Sequence, residues 1–197
     1  MTHRIIAALP QKATGFPVFA YDTETQGLDA TQVLIICWEN VATGEQYTAF
    51  SVSEFREFLE ERAPCIAFAH NGSSFDVLGI LSERELYESE KVAAGTKVFE
   101  YKVNGVMYRD SKHLIPLPLS KVAKSVDMEK GITPQEYIDG TVTEITQEAI
   151  DYCLLDVRIL SSALRRLKEL YADLINRNVN EIELPYTTAS MAYRIYC

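Results

Sequence analysis

Four carboxylates and one tyrosine stand at positions where they could do chemistry. Asp22 and Glu24 are two residues apart beside an apolar extended segment, so alternation along the chain points both to the same side. Asp76 lies between an apolar segment and a helical one. Tyr152 and Asp156 are four residues apart on one helix, at the flank of its apolar stripe. An ionised carboxylate at the edge of a core is costly unless it is paired, protonated or bound to a cation.

Each of these features alone also has an ordinary structural explanation. The Asp22-x-Glu24 pair could end a strand in solvent, and Asn71–Asp76 could be a loop followed by a helix start that favours a negative charge. Tyr152 and Asp156 could simply be a hydrogen-bonded pair. The order of the three motifs along the chain is a much more specific signal than any one of them.

The elements that must position these residues begin with a predicted antiparallel meander. Its three strands are followed by a helix that opens with capping-box spacing at Ser51 and by a short, continuously apolar strand. The predicted segments are strands at Phe16–Tyr21, Val33–Glu39 and Glu45–Phe50, a helix from Ser51 to about Arg62, and a strand at Cys65–Ala69. Asp22 and Glu24 would then follow the first strand directly.

The second half of the chain is predicted to be mainly helical. Asn104-Gly105 between two extended runs predicts a hairpin, and a long run without Gly or Pro after the N-cap Thr146 predicts a long helix. The predicted elements are a helix after Asp76, the hairpin Lys97–Asp110, a short helix Leu119–Ser125, the long helix Glu148–Arg177 and a helix beginning near Thr187. This order predicts a mixed α/β sheet covered by helices, in one domain spanning residues 1–197.

Composition and charge are those of a globular protein. The 197 residues are 47% hydrophobic and 24% charged, and no apolar run approaches the ~20 residues needed to cross a bilayer. The apolar stretch at residues 5–9 is too short for a secretory signal, and the four separated cysteines indicate reduced thiols, so we expect an intracellular protein. The net charge of −9 hides a basic segment, residues 91–124, with a net charge of +5, which could bind a polyanion locally.

The three motifs resemble those of the DEDD-type 3′–5′ exonucleases, which have a ribonuclease-H-like fold. Asp22-x-Glu24, Asn71-x-x-x-Phe75-Asp76 and Tyr152-x-x-x-Asp156 are all present, and the tyrosine indicates the DEDDy subtype. The chain is most similar to the proofreading domain of family B DNA polymerases, particularly the protein-primed phage and plasmid type. Residues 110–124 resemble the segment of those domains that contacts the primer end. The second motif is one residue longer than in the phage type.

The resemblance implies a two-metal-ion nuclease that uses Mg²⁺ or Mn²⁺, with the ions ~3.5–4 Å apart on either side of the scissile phosphate. Asp22 would bridge the ions. Glu24 and Asp156 would bind the ion that activates water, Asp76 would support the second ion partly through water, and Tyr152 would orient the attacking water. Thus Asp22, Glu24, Asp76, Tyr152 and Asp156 are the candidate catalytic residues.

Contacts to the nucleic acid are implied for a second set of residues. Thr25 and Asn71 would hold the terminal nucleotides by hydrogen bonds, and Phe75 by packing on a base. Ser111 would contact the strand end. The residues expected to contact backbone phosphates are Lys121, Lys124 and Lys130.

The expected partner is therefore the 3′ end of single-stranded DNA. The resemblance covers about residues 17–196 and includes no polymerase motif, so an excised proofreading domain and a free-standing relative both fit, and a polymerase module and a terminal protein are partners by family alone. The family implies the cytoplasm of a host cell. Two alternatives stay open: an exoribonuclease that trims RNA 3′ ends, and a catalytically silent nucleic-acid-binding or protein-binding module.

Overall fold

A seven-stranded mixed sheet forms the centre of the protein in a computed structural model that describes residues 15–27 and 32–196. The strand order is β3-β2-β1-β4-β7-β6-β5. Its strands are β1 (Val18–Thr25), β2 (Val33–Asn40), β3 (Gln46–Ala49), β4 (Cys65–Ala69), β5 (Glu90–Ala94), β6 (Lys97–Val103) and β7 (Val106–Asp110). The predicted antiparallel meander is confirmed, because β1 pairs with β2 and β2 with β3 in antiparallel register.

The first strand is longer than predicted. Asp22 and Glu24 lie inside β1, not after it, because the polar run up to Thr25 pairs with β2: Asp22 lies opposite Cys37 and Glu24 opposite Ile35. The strand therefore fixes the backbone of both acids. Their side chains share the face of the sheet on which Ala20 is packed, as alternation requires.

The predicted hairpin is present as β6 and β7, with Asn104 and Gly105 both at positive φ in the connecting turn. It is more than an insertion, because β7 pairs in parallel with β4 and so supplies a strand of the main sheet. The additional edge strand β5 was not predicted from the sequence. The hairpin thereby places Asp110, the last residue of β7, opposite Ala69 of β4.

Helices cover both faces of the sheet. They are α1 (Val52–Glu60), α2 (Asp76–Ile80), α3 (Glu83–Glu88), α4 (Leu119–Ser125), α5 (Gln135–Asp139), α6 (Gln147–Leu174) and α7 (Thr188–Tyr196). The predicted N-caps are confirmed: Ser51 accepts from the amide of Glu54, and Thr146 from that of Ala149. The single helix expected after Asp76 is divided in two by Ser82, which forms a capping box with Glu85.

The long helix α6 packs on β1 and β2 and buries its apolar stripe there. Cys153, Val157 and Leu160 contact the layer that contains Ala20 and Cys37 of the strands. A separate apolar layer on the opposite face is covered by α1 and α2. Because β1 and α6 are in direct contact, the motifs that they carry are held in a fixed relation.

No helix within residues 15–27 and 32–196 is long and apolar enough to cross a membrane. The stretch at residues 5–9, on which the signal-peptide prediction rests, lies outside the described residues, as does Cys197. The other three cysteines are free thiols buried in the core, as the sequence predicts.

Candidate functional site

The four acids of the three motifs meet above the carboxyl end of β1. Because β1 and β4 are parallel, both strands end at the same edge of the sheet, and Asp76 begins α2 shortly after β4. Asp156 reaches this edge from α6. The helix α6 contacts the strand β1 at this point, where Cys153 Sγ lies 3.6 Å from the backbone oxygen of Asp22.

Three of the acids, Asp22, Glu24 and Asp76, line an open cleft of about 230 Å³. One wall comes from the end of β1 and the start of α2, and the other from α5 and the segment before it. The lining residues are Asp22, Thr23, Glu24, Thr25, Gly27, His70, Phe75, Asp76, Thr133, Tyr137 and Ile138. The cleft therefore combines carboxylates with apolar side chains. This combination suits a charged ligand that carries planar rings.

Asp76 is almost fully buried and is held by one residue of β1. Its Oδ1 accepts from the backbone amide of Thr23 at 3.1 Å and from the Thr23 hydroxyl at 2.7 Å. Burial raises the pKa of Asp76 to about 6, although the two bonds from Thr23 oppose the shift. The strand thus sets the direction of this carboxylate, and its charged form needs a further positive partner.

Asp22 and Glu24 are destabilised as anions for the same reason. Burial, and next the charge of Asp156, raise the pKa of Glu24 to about 8. Burial followed by the charge of Asp76 raises the pKa of Asp22 well above its ordinary value. These shifts show that the carboxylates repel one another across a poorly solvated space, which is the electrostatic setting that a divalent cation would reverse.

Asp156 has one paired and one unpaired oxygen. Lys130 Nζ donates to Oδ2, whereas Oδ1 is buried and has no hydrogen-bond partner within the part of the chain that the structure describes. Burial raises the pKa of Asp156, and the bond from Lys130 opposes this rise. Unsatisfied buried oxygens are rare in folded proteins, so Oδ1 is a ready acceptor for a ligand.

Lys130 is placed differently from the phosphate-contacting position expected for it. Its ammonium group lies within the acidic cluster, where it contacts Asp156 and donates to the hydroxyl of Tyr152 at 2.6 Å. The adjacent Gly131 makes this approach possible, because a Cβ there would lie 2.9 Å from the Tyr152 ring. A buried carboxylate is costly without a positively charged partner, which is why the lysine turns inward.

The hydroxyl of Tyr152 is oriented by two neighbours, Lys130 and Thr133. The Thr133 hydroxyl lies 2.7 Å from it. Burial raises the pKa of Tyr152 above its ordinary value, and the hydrogen bonds from Lys130 and Thr133 oppose this rise. Tyr152 therefore keeps its proton near neutral pH and can orient a polar group but not act as a base.

The structure places the three residues expected to hold nucleotides at or near the cleft. Phe75 lines the cleft with half of its surface exposed, and Thr25 lines it while donating to the backbone oxygen of Gly27 at 2.6 Å. Asn71 has a left-handed backbone, and its side-chain oxygen accepts from Lys112 Nζ at 2.9 Å. The second motif continues from this turn into the short 3₁₀ helix Gly72–Ser74.

Ser111 does not lie where the resemblance implied. It is fully buried, and its hydroxyl lies 3.0 Å from His70 Nδ1, so it does not face the cleft. The other ring nitrogen of His70 lies 2.8 Å from the backbone oxygen of Leu117. In this arrangement Ser111 supports His70, which lines the cleft in its place. Ser111 begins the 3₁₀ helix Ser111–His113.

Lys121 and Lys124 are exposed on α4, and neither forms an ion pair within the described ranges. α4 packs on α6 through Val122 and Ala123, so its basic side chains face outward. They remain available for a polyanion.

Besides Thr23, His70 and Thr133, two further residues of the site, Asp110 and Cys153, were missed in the sequence. Asp110 is buried and its carboxylate accepts hydrogen bonds from the loop that carries Asn71 and Ser73. Cys153 places its Sγ within 4.8 Å of a carboxylate oxygen of both Asp22 and Glu24. For Cys153 a signal was available, since it stands next to Tyr152 in the third motif; for Asp110 nothing local distinguishes it from a strand-terminal acid.

Comparison with known proteins agrees with this architecture. Residues 108–197, slightly less than half of the chain, match the family described as DNA polymerase type B, organellar and viral. The sequence resemblance to family B DNA polymerases is confirmed. No curated protein matches the chain.

Solved polymerase structures share the fold. Phi29 DNA polymerase complexed with single-stranded DNA has 18% identity and a TM-score of 0.61 over 82% of this chain, and its orthorhombic crystal form has 16% identity and a TM-score of 0.63 over 91%. The family B DNA polymerase of the hyperthermophilic archaeon Pyrobaculum calidifontis has 18% identity and a TM-score of 0.58 over 91%. The chain spans 34% of phi29 polymerase and 29% of the archaeal enzyme. The expected ribonuclease-H-like fold is thereby confirmed.

Proposed function

We propose that the chain is a metal-dependent 3′–5′ exonuclease that removes nucleotides from single-stranded DNA ends, of the kind that proofreads for a polymerase. The observation that carries the proposal is that Asp22, Glu24 and Asp76 line one cleft while Asp156 lies near enough for its charge to raise the pKa of Asp22 and Glu24. The Oδ1 of Asp156 has no hydrogen-bond partner among the residues described, and the pKa values of all four acids are raised. The matches to DNA polymerases favour DNA over RNA as substrate.

The four acids fit a pair of Mg²⁺ or Mn²⁺ ions. They supply oxygen donors only, from three separate elements, and their mutual repulsion favours any ligand with a high positive charge. When bound, such ions would lower the pKa of a water and stabilise the charge that develops on the departing 3′ oxygen. Thr23 would keep Asp76 directed at the site through its two hydrogen bonds.

Tyr152 would position the water that attacks the phosphate. Because the tyrosine keeps its proton, it acts by accepting or donating a hydrogen bond and not by removing a proton. Thr133 and Lys130 would hold the phenol in place. In the presence of substrate, the ammonium of Lys130 would also lie beside the acids and reduce their repulsion of the phosphate.

The apolar part of the cleft would receive the terminal nucleotides. The exposed ring of Phe75 offers a surface for a base, and Thr25 and Asn71 offer hydrogen-bonding groups beside it. Lys121 and Lys124, on the exposed face of α4, would contact backbone phosphates further along the strand. A polymerase module and a terminal protein are proposed as partners on the resemblance to protein-primed polymerases alone.

Degradation of a 3′-labelled single-stranded oligonucleotide tests the proposal. With Mg²⁺ or Mn²⁺ the wild type should shorten the DNA from its 3′ end, and Asp22→Ala/Glu24→Ala should lose the activity. Asp151→Ala is the matched control, because Asp151 is an exposed acid on α6 next to the third motif. Equal activity in the wild type and the double variant would refute the proposal. Faster cleavage of a matched RNA oligonucleotide would favour the exoribonuclease alternative, and absence of Mn²⁺ binding by calorimetry the silent module.

Tyr152→Phe separates positioning from metal binding. It removes only the hydroxyl, so we expect a fall in the cleavage rate of about 10–100-fold with little change in Mn²⁺ affinity. An unchanged rate would show that the hydroxyl has no part in the reaction.

A further inference from the structure

One lysine of the basic segment lies against the loop that carries the second motif. Lys112 is exposed in the 3₁₀ helix after β7, and its Nζ donates to the side-chain oxygen of Asn71 at 2.9 Å. The backbone amides of the two residues share one acceptor, Asp110 Oδ1, at 2.8 Å for Lys112 and 3.0 Å for Asn71. The fold therefore holds Lys112 and Asn71 side by side, independently of the contact between their side chains.

This contact determines which end of the Asn71 amide is free. An ammonium group donates hydrogen bonds and accepts none, so it faces the amide oxygen and leaves the NH₂ group on the other side. Nδ2 of Asn71 has no hydrogen-bond partner among the residues that the structure describes. With Lys112 in place, Asn71 thus presents free N–H donors between His70 and Phe75, two residues that line the cleft.

The ammonium group of Lys112 carries a charge that is not neutralised by an ion pair within residues 15–27 and 32–196. The bond to Asn71 uses one of its three hydrogens. The group lies close to the wall of the cleft: burial lowers the pKa of His70, and the charge of Lys112 adds to this lowering. The pair therefore places free donors and one positive charge beside the cleft.

We propose that Lys112 is a positioning residue: it holds the Asn71 amide with its donors toward a phosphate oxygen of the bound single strand, and adds a positive charge to the same contact. The proposal rests on the proposed function, because it takes this strand to be the substrate of the cleft. A phosphate oxygen is negatively charged and only accepts hydrogen bonds, whereas base edges are neutral and carry donors as well as acceptors. Phosphate contacts position a strand without reading its sequence, so the contact should be the same for every sequence.

Binding of a 5′-fluorescent single-stranded oligonucleotide, followed by anisotropy without divalent cations, tests the contact without any need for nuclease activity. The background is Asp22→Ala/Glu24→Ala, which lacks two of the acids that repel a phosphate. In it, Lys112→Met removes the ammonium group and should raise the Kd about ten-fold, equally for oligonucleotides of different sequence. Lys112→Arg keeps the charge and the donors, and its Kd should stay within about two-fold of the background value.

Lys102→Met in the same background is the matched control. Lys102 is also an exposed lysine of the basic segment, but its ammonium group is paired with Glu90. It lies opposite Met107, nearer to the start of β7 than to the end of that strand at the cleft. Its removal should leave the Kd unchanged.

The salt dependence of binding separates a phosphate contact from a structural effect. On a single strand, log Kd rises with log salt concentration by about 0.7 for each phosphate that the protein neutralises. The slope should therefore fall by about 0.7 in Lys112→Met and stay unchanged in Lys112→Arg. A weaker Kd in Lys112→Met with an unchanged slope would contradict a phosphate contact.

A double-variant cycle tests whether Lys112 acts through Asn71. Asn71→Gly removes the amide and suits the left-handed backbone at this position. In the presence of Asn71→Gly, Lys112→Met should raise the Kd by less than half the factor that it has in the presence of Asn71. In the protein with all its acids, Lys112→Met should raise KM with little change in kcat, because the contact is the same before and during the reaction.

The outcomes distinguish this proposal from the proposed function. Lys112-dependent binding by a protein that does not cleave DNA would support the contact and refute the proposed function. Cleavage by the wild type together with an unchanged Kd in Lys112→Met would overturn the contact alone. Equal factors for Lys112→Met with and without the Asn71 amide would overturn the positioning role, as would absence of binding in the background protein.

Discussion

Replacement of Asp110 should release the loop that carries the second motif. This buried carboxylate ends β7 and uses both oxygens. Oδ1 accepts from the amides of Asn71 at 3.0 Å and Lys112 at 2.8 Å, and Oδ2 accepts from the amide of Ser73 at 3.2 Å and from its hydroxyl at 2.6 Å. Because the loop of Asn71 and Ser73 leads into Asp76, the three bonds to that loop also position the start of α2.

The expected losses can be ranked from these contacts. Asp110→Ala leaves three amides and a hydroxyl without their acceptor. Hydrogen bonds to charged groups contribute about 1.5–3 kcal/mol each, but water reaches part of this loop, so we expect a net loss of about 2–4 kcal/mol in the free energy of unfolding. Asp110→Asn keeps the acceptor for Asn71 and Lys112, and its amide can donate to the Ser73 hydroxyl. Only the Ser73 amide then loses its acceptor, at a cost of about 1–2 kcal/mol.

Urea unfolding of wild type, Asp110→Asn and Asp110→Ala measures this order. The midpoints should fall in that sequence with unchanged slopes, and Asp151→Ala should match the wild type. Calorimetry should show weaker Mn²⁺ binding in Asp110→Ala, since Asp76 is no longer fixed. A free energy of unfolding of Asp110→Ala within about 0.5 kcal/mol of the wild-type value, which is the effect of an ordinary surface substitution, would refute the reasoning. A greater loss in the asparagine variant would refute it as well.

Three further outcomes follow from the charges. The pKa of Glu24 is raised from 4.5 to about 8, so between these values the folded, cation-free protein binds more protons than the unfolded chain. Its free energy of unfolding should therefore fall as pH rises from about 4.5 to 8, by at most about 1.4 kcal/mol per pH unit for this group. Urea unfolding at several pH values should show a shallower fall in Glu24→Gln than in the wild type, and parallel curves would contradict this. Lys130→Met should lower the cation-free stability by about 1–3 kcal/mol because Asp156 loses its partner, and Mn²⁺ should restore the difference, whereas a loss that Mn²⁺ leaves unchanged would contradict it. Arg109→Met leaves the buried carboxylate of Glu100 unpaired and should cost about 3–5 kcal/mol, most of which Arg109→Met/Glu100→Gln should recover; a double variant no more stable than Arg109→Met would contradict the pairing.

Local patterns predicted the elements that bury a continuous apolar face. β2, β4 and α6 were found within a few residues because each presents an uninterrupted apolar run or stripe. By contrast, β5 is largely exposed and α5 has five residues after a proline, so neither leaves a hydrophobic period in the sequence. β1 was predicted too short, because its last residues are polar and are extended through pairing with β2 and not through their own propensity.

The residues of the candidate site differ in the same way: some could be predicted from local patterns and others could not. The acids could be proposed from the sequence because strand alternation and helical spacing determine where Asp22, Glu24 and Asp156 point. The positions of Lys130 and Ser111 were not accessible in this way, since each depends on a partner far along the chain, Asp156 in one case and His70 in the other. A lysine on a loop looks like a surface charge until the buried acid that attracts it is known.

The folded chain tolerates a cluster of buried acids in two ways. With raised pKa values, Asp22 and Glu24 can stay protonated, and Lys130 neutralises part of the charge of Asp156. Protonation and the ion pair with Lys130 both neutralise the acids less completely than a divalent cation would. Protons are lost at high pH, and the one ammonium group contacts only one of the acids. A cation that binds all of them must therefore stabilise the fold, by about 2.7 kcal/mol at a concentration 100-fold above its dissociation constant. That stabilisation must increase with pH as protons cease to compete, so the affinity for the cation and the resistance to unfolding are two measurements of the same electrostatic repulsion.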